Sequence, residues 1–211
     1  GGVMAGQAAR AEKHYTWADY RAMPEETRAE IIDGEFFDMS AAPALLHQHV
    51  VGALHSAFGA FFNGHPCTVF LSPVDVKLDD DTVVQPDLLV VCNREQMQVT
   101  HIEGPPSLVV EILSPHSHLH DRWRKMRRYA AAGIAEYWIV DPVAHLIEIY
   151  LLDGASYRLY GNFGPGETAR SAQFKALEVA VDTLFRFPPE PVKKPGQVRE
   201  KKAVYRVRRK R

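Results

Sequence analysis

Two acidic residues stand inside apolar runs that have the length and composition of buried strands. Asp87 lies in VVQPDLLVVCN, residues 83–93, and Glu111 lies in SLVVEILSP, residues 107–115. A carboxylate in such a position is costly unless another group pairs with it. If the two strands are neighbours, the carboxylates converge on one point of a sheet and repel each other when both are ionised. The pattern therefore predicts either a raised pKa or a cation held between Asp87 and Glu111.

A divalent metal ion is the cation that suits such a pair. Carboxylate oxygens are hard ligands, and magnesium takes one or two of them while it keeps several water molecules. The ion can activate water and neutralise the charge of a phosphodiester transition state. The alternative that periodicity leaves open is that Asp87 ends a loop and Glu111 faces solvent on an edge strand.

Further polar residues lie in or just after the same segments. Gln85 stands two residues before Asp87, so it shares the strand face of the acid and is a candidate donor beside the site. The segment HSHLH carries three alternating histidines, His116, His118 and His120. Alternating histidines on an extended chain could bind zinc. The favoured interpretation is a loop near phosphate whose charge depends on pH.

Hydrophobic spacing predicts the elements that position these residues. TWADYRAMPEETR predicts a short helix with Thr16 as N-cap, and apolar positions in residues 44–62 recur at helical spacing. AEIIDGEFFDMS predicts a β-hairpin that turns at Asp33-Gly34. We therefore expect a helix and a hairpin ahead of the acids.

The remaining segments alternate between strand and helix. TVFLSPVDVKL, VVQPDLLVV and SLVVEIL are strand-like, residues 120–132 predict a helix that ends at Gly133, and EYWIVDP begins a further set of strands. This order predicts an α/β or α+β fold in which helices pack on a mixed sheet.

Charge is unevenly distributed along the chain. The 211 residues have a formal net charge of −1. From Glu190 onward there are ten Lys or Arg and two acids, which gives a tail of about +8 and a body of about −9. The tail is expected to be disordered. It is either a solubilising end or an arm that binds phosphates, with Lys193, Lys194, Arg208 and Arg209 as candidate nucleic-acid contacts.

Composition limits the class of protein. The length is sufficient for one substantial core, and no apolar run approaches the roughly 20 residues of a membrane-spanning helix. Cys67 and Cys92 lack CxxC spacing, so we expect buried free thiols in a reducing compartment. These features predict a cytoplasmic protein with no membrane partner.

Short motifs follow one another in an order that is typical of one nuclease family. EIIDGEFFDMS at 30–40 precedes QPD at 85–87, EILSPHS at 111–117 and HDRWRKMRRYAAAGIAEYWIVDP at 120–142. With these motifs the sequence resembles the Uma-type restriction endonucleases of the PD-(D/E)XK nuclease superfamily, over residues 17–184. The resemblance implies a restriction-endonuclease-like core: a helix, a three-stranded meander with the acids, a second helix and another strand, preceded here by the β-hairpin.

The resemblance also implies roles for particular residues. Asp87 matches the motif aspartate and Glu111 the acid of the (D/E)XK half, so both would bind Mg²⁺ or Mn²⁺. The motif lysine is replaced by Leu113. In families with that gap the lysine can lie on the following helix, where Lys125 matches. Such a lysine would orient the attacking water or stabilise phosphate charge, and the alternative is a solvated lysine in a basic run.

Additional site residues are expected from the elements before the acids. Glu30, Glu35 and His47 lie in segments that should pack beside them. Glu35 follows the turn and could be a surface acid. His47, near the start of the long helix, would bind the metal directly or through water, or be only a helix-end residue.

The resemblance implies a metal-dependent DNA endonuclease that hydrolyses phosphodiester bonds. The alternative is a catalytically inactive nuclease-fold protein that binds nucleic acid or a protein partner, which Leu113 favours. We expect a flexible segment over 1–14, a single endonuclease-like domain over 15–188 and the basic tail over 189–211, with DNA as partner and a homodimer as the assembly.

Overall fold

The computed structural model describes residues 13–41, 43–114 and 119–186, without the side chains of 119–121. The helices are α1 (Trp17–Arg21), α2 (Leu45–Phe62), α3 (Leu119–Ala132) and α4 (Val181–Leu184). The strands are β1 (Ala29–Ile32), β2 (Glu35–Asp38), β3 (Thr68–Leu71), β4 (Val76–Asp79), β5 (Thr82–Val84), β6 (Leu88–Val91), β7 (Ile102–Glu103), β8 (Leu108–Ile112), β9 (Glu136–Asp141), β10 (Leu146–Asp153), β11 (Ser156–Phe163), β12 (Thr168–Arg170) and β13 (Glu178–Ala180). None of the helices in these ranges is long and apolar enough to cross a membrane.

A six-stranded mixed sheet forms the centre of the fold. Its order is β11-β10-β9-β8-β6-β3, and β8 and β9 run parallel while the other neighbours are antiparallel. The parallel pair needs a crossover connection, and α3 is the helix in that connection. The predicted mixed sheet flanked by helices is confirmed.

Both faces of this sheet are covered, which explains the continuous apolar runs. On β6, Leu88 and Val90 belong to the core cluster that contains α2, whereas Leu89 and Val91 belong to the cluster that contains Tyr129 of α3. Alternation along β8 therefore directs Glu111 toward the α3 side, since Val110 and Ile112 pack with α2.

The predicted β-hairpin is β1 and β2, and its turn is Asp33-Gly34. Both turn residues have positive φ, 53° and 76°, as a tight primed turn requires. The hairpin belongs to a second, five-stranded sheet of order β2-β1-β5-β4-β7. Residues 82–84 of β5 thus pair with β1, outside the central sheet.

Two segments that we expected to be single strands are each divided between the two sheets. Residues 68–71 and 76–79 form β3 and β4, with a cis Ser72-Pro73 bond between them. Residues 82–84 and 88–91 form β5 and β6, and Pro86 lies between them. Proline lacks the N–H that a ladder needs, so strands end at such positions. Asp87 therefore lies at the end of the segment that connects the second sheet to the central sheet, directly before β6.

The prediction of free thiols is wrong. Cys67 and Cys92 form a disulfide with their Cα atoms 4.0 Å apart. They directly flank the β3–β6 ladder, in which Thr68 pairs with Val91, so the register makes them cross-strand neighbours. The cysteines consequently give no support to a reducing compartment.

The helix ends agree with the capping predictions. Thr16 caps α1 in a reciprocal capping box with Asp19. After α3, Gly133 has a φ of 88°, its N–H bonds to the carbonyl of Ala130, and the next N–H bonds to the carbonyl of Tyr129. This pair of bonds is a Schellman motif, which ends α3 one turn after Tyr129.

Candidate functional site

Strand register brings the two acids opposite each other. On the antiparallel pair β6–β8, Leu88 is the partner of Val110, so one further step along the register sets Asp87 opposite Glu111. Directly opposed residues share a sheet face, with Cβ atoms about 4.5–5.5 Å apart. The two carboxylates are therefore on one face at one end of the central sheet.

The Asp87 carboxylate is held by two donors from different elements. Its Oδ2 accepts a bond of 2.7 Å from the backbone N–H of Ile112 on β8 and lies 3.2 Å from Nε2 of His47 in the first turn of α2. Burial lowers the pKa of His47, but Asp87 and Glu111 outweigh it and raise the pKa above its ordinary value. A carboxylate only accepts hydrogen bonds, so Nε2 of His47 is the donor and orients this acid.

The Glu111 carboxylate is contacted by one face of α3. Its Oε1 lies 3.0 Å from Nζ of Lys125 and accepts a 2.6 Å bond from the Tyr129 hydroxyl. Lys125 and Tyr129 are four residues apart, and this spacing puts both on one helix face. Burial and the charge of Glu111 raise the pKa of Tyr129 well above its ordinary value, so the hydroxyl remains a donor.

A third buried acid completes the cluster. Glu30 of β1 is 2% exposed, and its Oε1 lies 2.8 Å from Nζ of Lys125 and accepts a 2.8 Å bond from the backbone N–H of Gln85. Lys125 therefore bridges Glu30 of the second sheet and Glu111 of the central sheet. We name Glu30, Asp87, Glu111 and Lys125 the carboxylate cluster.

The carboxylate cluster has more negative than positive groups. Burial, together with Asp87 and Glu30, raises the pKa of Glu111 to about 7 despite the opposing effect of Lys125. Burial disfavours charge on Lys125, but Glu111 and Glu30 outweigh it and raise its pKa, so the amine stays protonated. Three carboxylates against one ammonium attract a further cation.

Other predicted residues lie elsewhere. Glu35 lies on β2, forms an ion pair with Arg124 on α3 and is half exposed. Gln85 contributes its backbone N–H, but its side-chain Nε2 lies 2.8 Å from Asp75 and 3.3 Å from Tyr20. Pro86 interrupts the strand between Gln85 and Asp87, so the expectation of one shared face did not apply to this side chain.

Leu113 packs in the apolar cluster on the α3 side, where a lysine would have to bury its charge. The histidines His116 and His118, the side chain of His120, and Lys193, Lys194, Arg208 and Arg209 lie outside the described part of the chain.

Sequence reasoning missed Tyr129 and gave Glu30 no specific role. Tyr129 could have been found from its position four residues after Lys125 in a segment predicted to be helical, because residues at this spacing share one helix face. The signal for Glu30 was weaker, because an acid between Ala29 and Ile31 resembles any exposed strand residue. Only the packing of β1 beneath α3 buries it.

The donor set fits a hard divalent ion. Within the described ranges, no three His, Cys, Asp or Glu side chains form a ready-made metal cage, and Lys125 occupies the space between Glu30 and Glu111. Asp87 and Glu111 remain as an opposed pair of oxygen ligands. One or two carboxylates with water is the coordination that magnesium typically uses.

Comparisons with known proteins bear on the family and the fold of the chain. A model of the Uma2 family, described as "Putative restriction endonuclease", matches residues 17–182. An "Uncharacterized protein slr1290" of Synechocystis sp. is 24% identical over 177 residues, which are 83% of this chain and 90% of that protein. A crystal structure of "a putative nuclease belonging to DUF820" from Anabaena variabilis superposes with a TM-score of 0.67 at 19% identity, over 81% of this chain and 97% of that chain. At that identity, the likeness concerns the fold.

Proposed function

Because the chain belongs to the Uma2 family of restriction-endonuclease-like proteins, we propose that it is a Mg²⁺- or Mn²⁺-dependent endodeoxyribonuclease. Asp87 and Glu111 are the proposed metal ligands and, with Lys125, the proposed catalytic residues. The observation that supports this most directly is the opposition of Asp87 and Glu111 across β6 and β8, with the Lys125 amine 3.0 Å from Glu111.

The metal, when bound, would activate water and neutralise phosphate charge. The protein's own groups divide the remaining work. His47 and the Ile112 N–H orient the Asp87 carboxylate, and Tyr129 orients Glu111. Lys125 keeps its proton because its pKa is raised, so its role is to stabilise negative charge on the phosphate and not to take a proton from water.

Phosphodiester hydrolysis also accounts for an otherwise unfavourable cluster. Three buried or half-buried carboxylates around one lysine cost stability in the absence of a cation. A divalent ion held by Asp87 and Glu111 would relieve this repulsion and would attract the anionic scissile phosphate. The excess of negative charge is thus explained by a metal-dependent reaction on an anionic substrate.

The second candidate is a nuclease-fold protein without activity that binds nucleic acid or a protein. The observation in its favour is the salt bridge itself, because Lys125 already neutralises part of the charge of Glu30 and Glu111. Leu113 stands where the motif lysine is expected. In this case the carboxylate cluster would be a structural ion-pair network, and divalent ions would not bind.

Other predictions belong to the same proposal. DNA is the proposed substrate, the basic residues Lys193, Lys194, Arg208 and Arg209 are proposed phosphate contacts, and a homodimer is the proposed assembly. The cytoplasmic location stays a prediction, which the cysteines do not support.

The test is cleavage of duplex DNA with Mn²⁺ by wild type, Glu111→Gln and Glu178→Gln from identical preparations. Glu178 is an exposed acid paired with Arg170 on β12, so it is the matched control for loss of a carboxylate. Glu111→Gln should lower the rate on the order of a hundredfold or more, and Glu178→Gln should leave it unchanged. Equal cutting by all three proteins would assign the activity to a contaminant.

A thermal-shift measurement separates metal binding from chemistry. Mn²⁺ should raise the Tm of wild type, because it binds only the folded state, and Asp87→Asn should abolish this shift. Asn retains an acceptor for the Ile112 N–H, so the variant should fold. If wild type shows no shift, the inactive candidate is favoured.

A further inference from the structure

A further acid of the central sheet lies in the same row as the carboxylate cluster. Glu148 of β10 is the register partner of Ile139 on β9, and Ile139 is in turn the partner of Glu111 on β8. Ile139 packs on the α3 side of the sheet, and register partners share a sheet face. Glu148 therefore faces α3 at the level of Glu111, two strands away. Strand spacings of about 4.8 Å put their backbone positions roughly 10 Å apart.

Arg122 of α3 forms an ion pair with Glu148. It stands three residues before Lys125 and seven before Tyr129, and side chains at these spacings emerge from one helix face. The face of α3 that carries Lys125 and Tyr129 to the carboxylate cluster thus also carries a guanidinium, one turn closer to the beginning of the helix.

The other arginines of α3 have different surroundings. Arg124 and Arg128 pair with acids of the second sheet and its turn, and the side chain of Arg127 is 73% exposed. Arg122 instead contacts an acid of the central sheet. Its position beside Lys125 is therefore not a general property of a basic helix.

Tyr137 of β9 shows how close the ion pair is to the carboxylate cluster. Burial and the charge of Glu111 raise the pKa of Tyr137 well above its ordinary value, while Arg122 acts in the opposite direction. The same hydroxyl is therefore within electrostatic range of both Glu111 and Arg122. Together with the register and the helix spacing, this makes the ion pair and the cluster parts of one polar site beneath α3.

Exposure increases from the carboxylate cluster to this ion pair. The side chains of Lys125 and Glu111 are 12% and 13% exposed, whereas those of Arg122 and Glu148 are each 23% exposed. An ion pair that is open to water contributes only modestly to stability. An anion that enters from solvent can therefore take the place of the Glu148 carboxylate at small cost.

The backbone of a DNA strand supplies such anions. A guanidinium binds the oxygens of a phosphate in the same bidentate fork with which it binds a carboxylate. Successive phosphates of one strand are about 3.4 Å apart along the helix axis. A strand with its scissile phosphate at Asp87 and Glu111 consequently has a neighbouring phosphate within the roughly 10 Å that separates Glu111 from Glu148.

We propose that Arg122 binds a backbone phosphate that flanks the scissile position, and that Glu148 holds the guanidinium in place until DNA displaces it. The inference rests on the proposed function, because this phosphate belongs to the DNA substrate. The two partners have opposite effects on the substrate: Arg122 favours DNA binding, whereas Glu148 competes with DNA for the same cation.

The first experiment compares the affinity of wild type, Arg122→Gln and Glu148→Gln for a fluorescent duplex, by anisotropy with a chelator present to prevent metal-dependent cutting. Arg122→Gln should weaken binding about tenfold, since a charge-assisted hydrogen bond is lost, and should reduce the slope of log K against log salt concentration by about one. Glu148→Gln should strengthen binding, because the competing carboxylate is removed. The exposed pair of Arg170 and Glu178 provides matched controls, and Arg170→Gln and Glu178→Gln should leave binding nearly unchanged.

The second experiment tests whether Glu148 acts through Arg122. If it does, Glu148→Gln strengthens binding only when Arg122 is present, so the double variant should bind DNA as weakly as Arg122→Gln alone. Arg122→Lys keeps the charge and loses the fork, so it should retain the salt slope with weaker affinity. The Tm of each variant checks folding, and Arg122→Lys carries the test if Arg122→Gln does not fold.

The outcomes separate this inference from the proposed function. If wild type binds DNA and Arg122→Gln has no more effect than Arg170→Gln, the inference is overturned and the proposed function stands. Weaker binding by both Arg122→Gln and Glu148→Gln would also overturn it, because the ion pair would then be a structural contact. If wild type does not bind DNA, both the inference and the proposed substrate are contradicted.

Discussion

At the scale of single residues, the carboxylate cluster combines groups whose charges do not balance. Lys125 lies within 2.8 Å of Glu30 and 3.0 Å of Glu111, and Asp87 is on the same sheet face. Without Lys125, the carboxylates of Glu30 and Glu111 would be buried charges without a counter-ion. Stability and metal affinity should therefore depend on the same few side chains.

Replacement of Lys125 by methionine should destabilise the protein without metal. The variant leaves Glu30 and Glu111 buried without their counter-ion, a change that typically costs roughly 3–5 kcal/mol. Urea denaturation at pH 8 measures the loss of free energy of unfolding. Combining Lys125→Met with Glu111→Gln should recover part of it, because one uncompensated charge is removed. A loss that is additive with Glu111→Gln would show that the two side chains do not interact.

The stability of the metal-free protein should fall as pH rises from about 4.5 to about 7. Burial and the neighbouring acids raise the pKa of Glu111 from about 4.5 to about 7, so the folded state holds this proton more tightly than the unfolded chain. The contribution of protonated Glu111 to the free energy of unfolding is complete below about pH 4.5 and is lost by about pH 7. The free energy of unfolding falls by up to roughly 3 kcal/mol over this range.

His47 changes stability in the same direction at higher pH. The pKa of His47 is raised above 6.5. Its contribution to the free energy of unfolding is therefore complete below about pH 6.5 and is lost as the pH rises through the raised pKa. Denaturation midpoints between pH 4 and 8 should therefore fall less in Glu111→Gln than in wild type. Identical pH profiles for the two proteins would contradict the raised pKa of Glu111.

At the scale of elements, α3 is the helix that joins the two sheets. Its inner face carries Lys125 and Tyr129 to the carboxylate cluster, and its outer face makes ion pairs with the second sheet and its turn. Arg128 contacts Asp33 at 3.1 Å and also pairs with Asp79. The helix is thus anchored on both sides of the site.

Substitution of Gly133 by alanine should destabilise the C-terminal end of α3. Space is not the obstacle, since no described atom lies within 4 Å of the added Cβ. The φ of 88° is the obstacle, and a left-handed conformation costs a non-glycine residue about 1–2 kcal/mol. Thermal denaturation measures this loss, and Gly52→Ala in α2, which also has open space, is the control that should stabilise slightly. Equal effects of both substitutions would exclude the left-handed cap as the cause.

At the scale of the whole molecule, the body and the tail have opposite charge. The chain from Glu190 onward carries ten Lys or Arg and two acids, and an acidic body by itself repels DNA. Sequence-independent binding would then depend on the tail, while the carboxylate cluster would act only on DNA already bound.

Truncation after Pro189 should weaken DNA binding and flatten its salt dependence. Each cation that contacts a phosphate releases counter-ions, and the slope of log K against log salt concentration falls as these contacts are lost. Fluorescence anisotropy between about 50 and about 200 mM salt measures this slope, and the cleavage rate at saturating DNA should not change. An unchanged slope would assign the tail a solubilising role.

The two opposed acids of the candidate site could be predicted without a structure. Asp87 and Glu111 were identifiable because an acid in an apolar run is costly wherever the run is buried. The caps at Thr16 and Gly133 and the turn at Asp33-Gly34 were predictable for a related reason, since each depends on local backbone conformation alone.

Which side chains meet depends on how distant segments pack, and this could not be predicted from the sequence. The division of two apolar segments between separate sheets moved Gln85 away from Asp87, and the packing of β1 beneath α3 brought Glu30 to Lys125. The pairing of Cys67 with Cys92 likewise follows from the β3–β6 register. Such contacts join residues that are distant in sequence, and periodicity along one segment carries no information about which other segment packs against it.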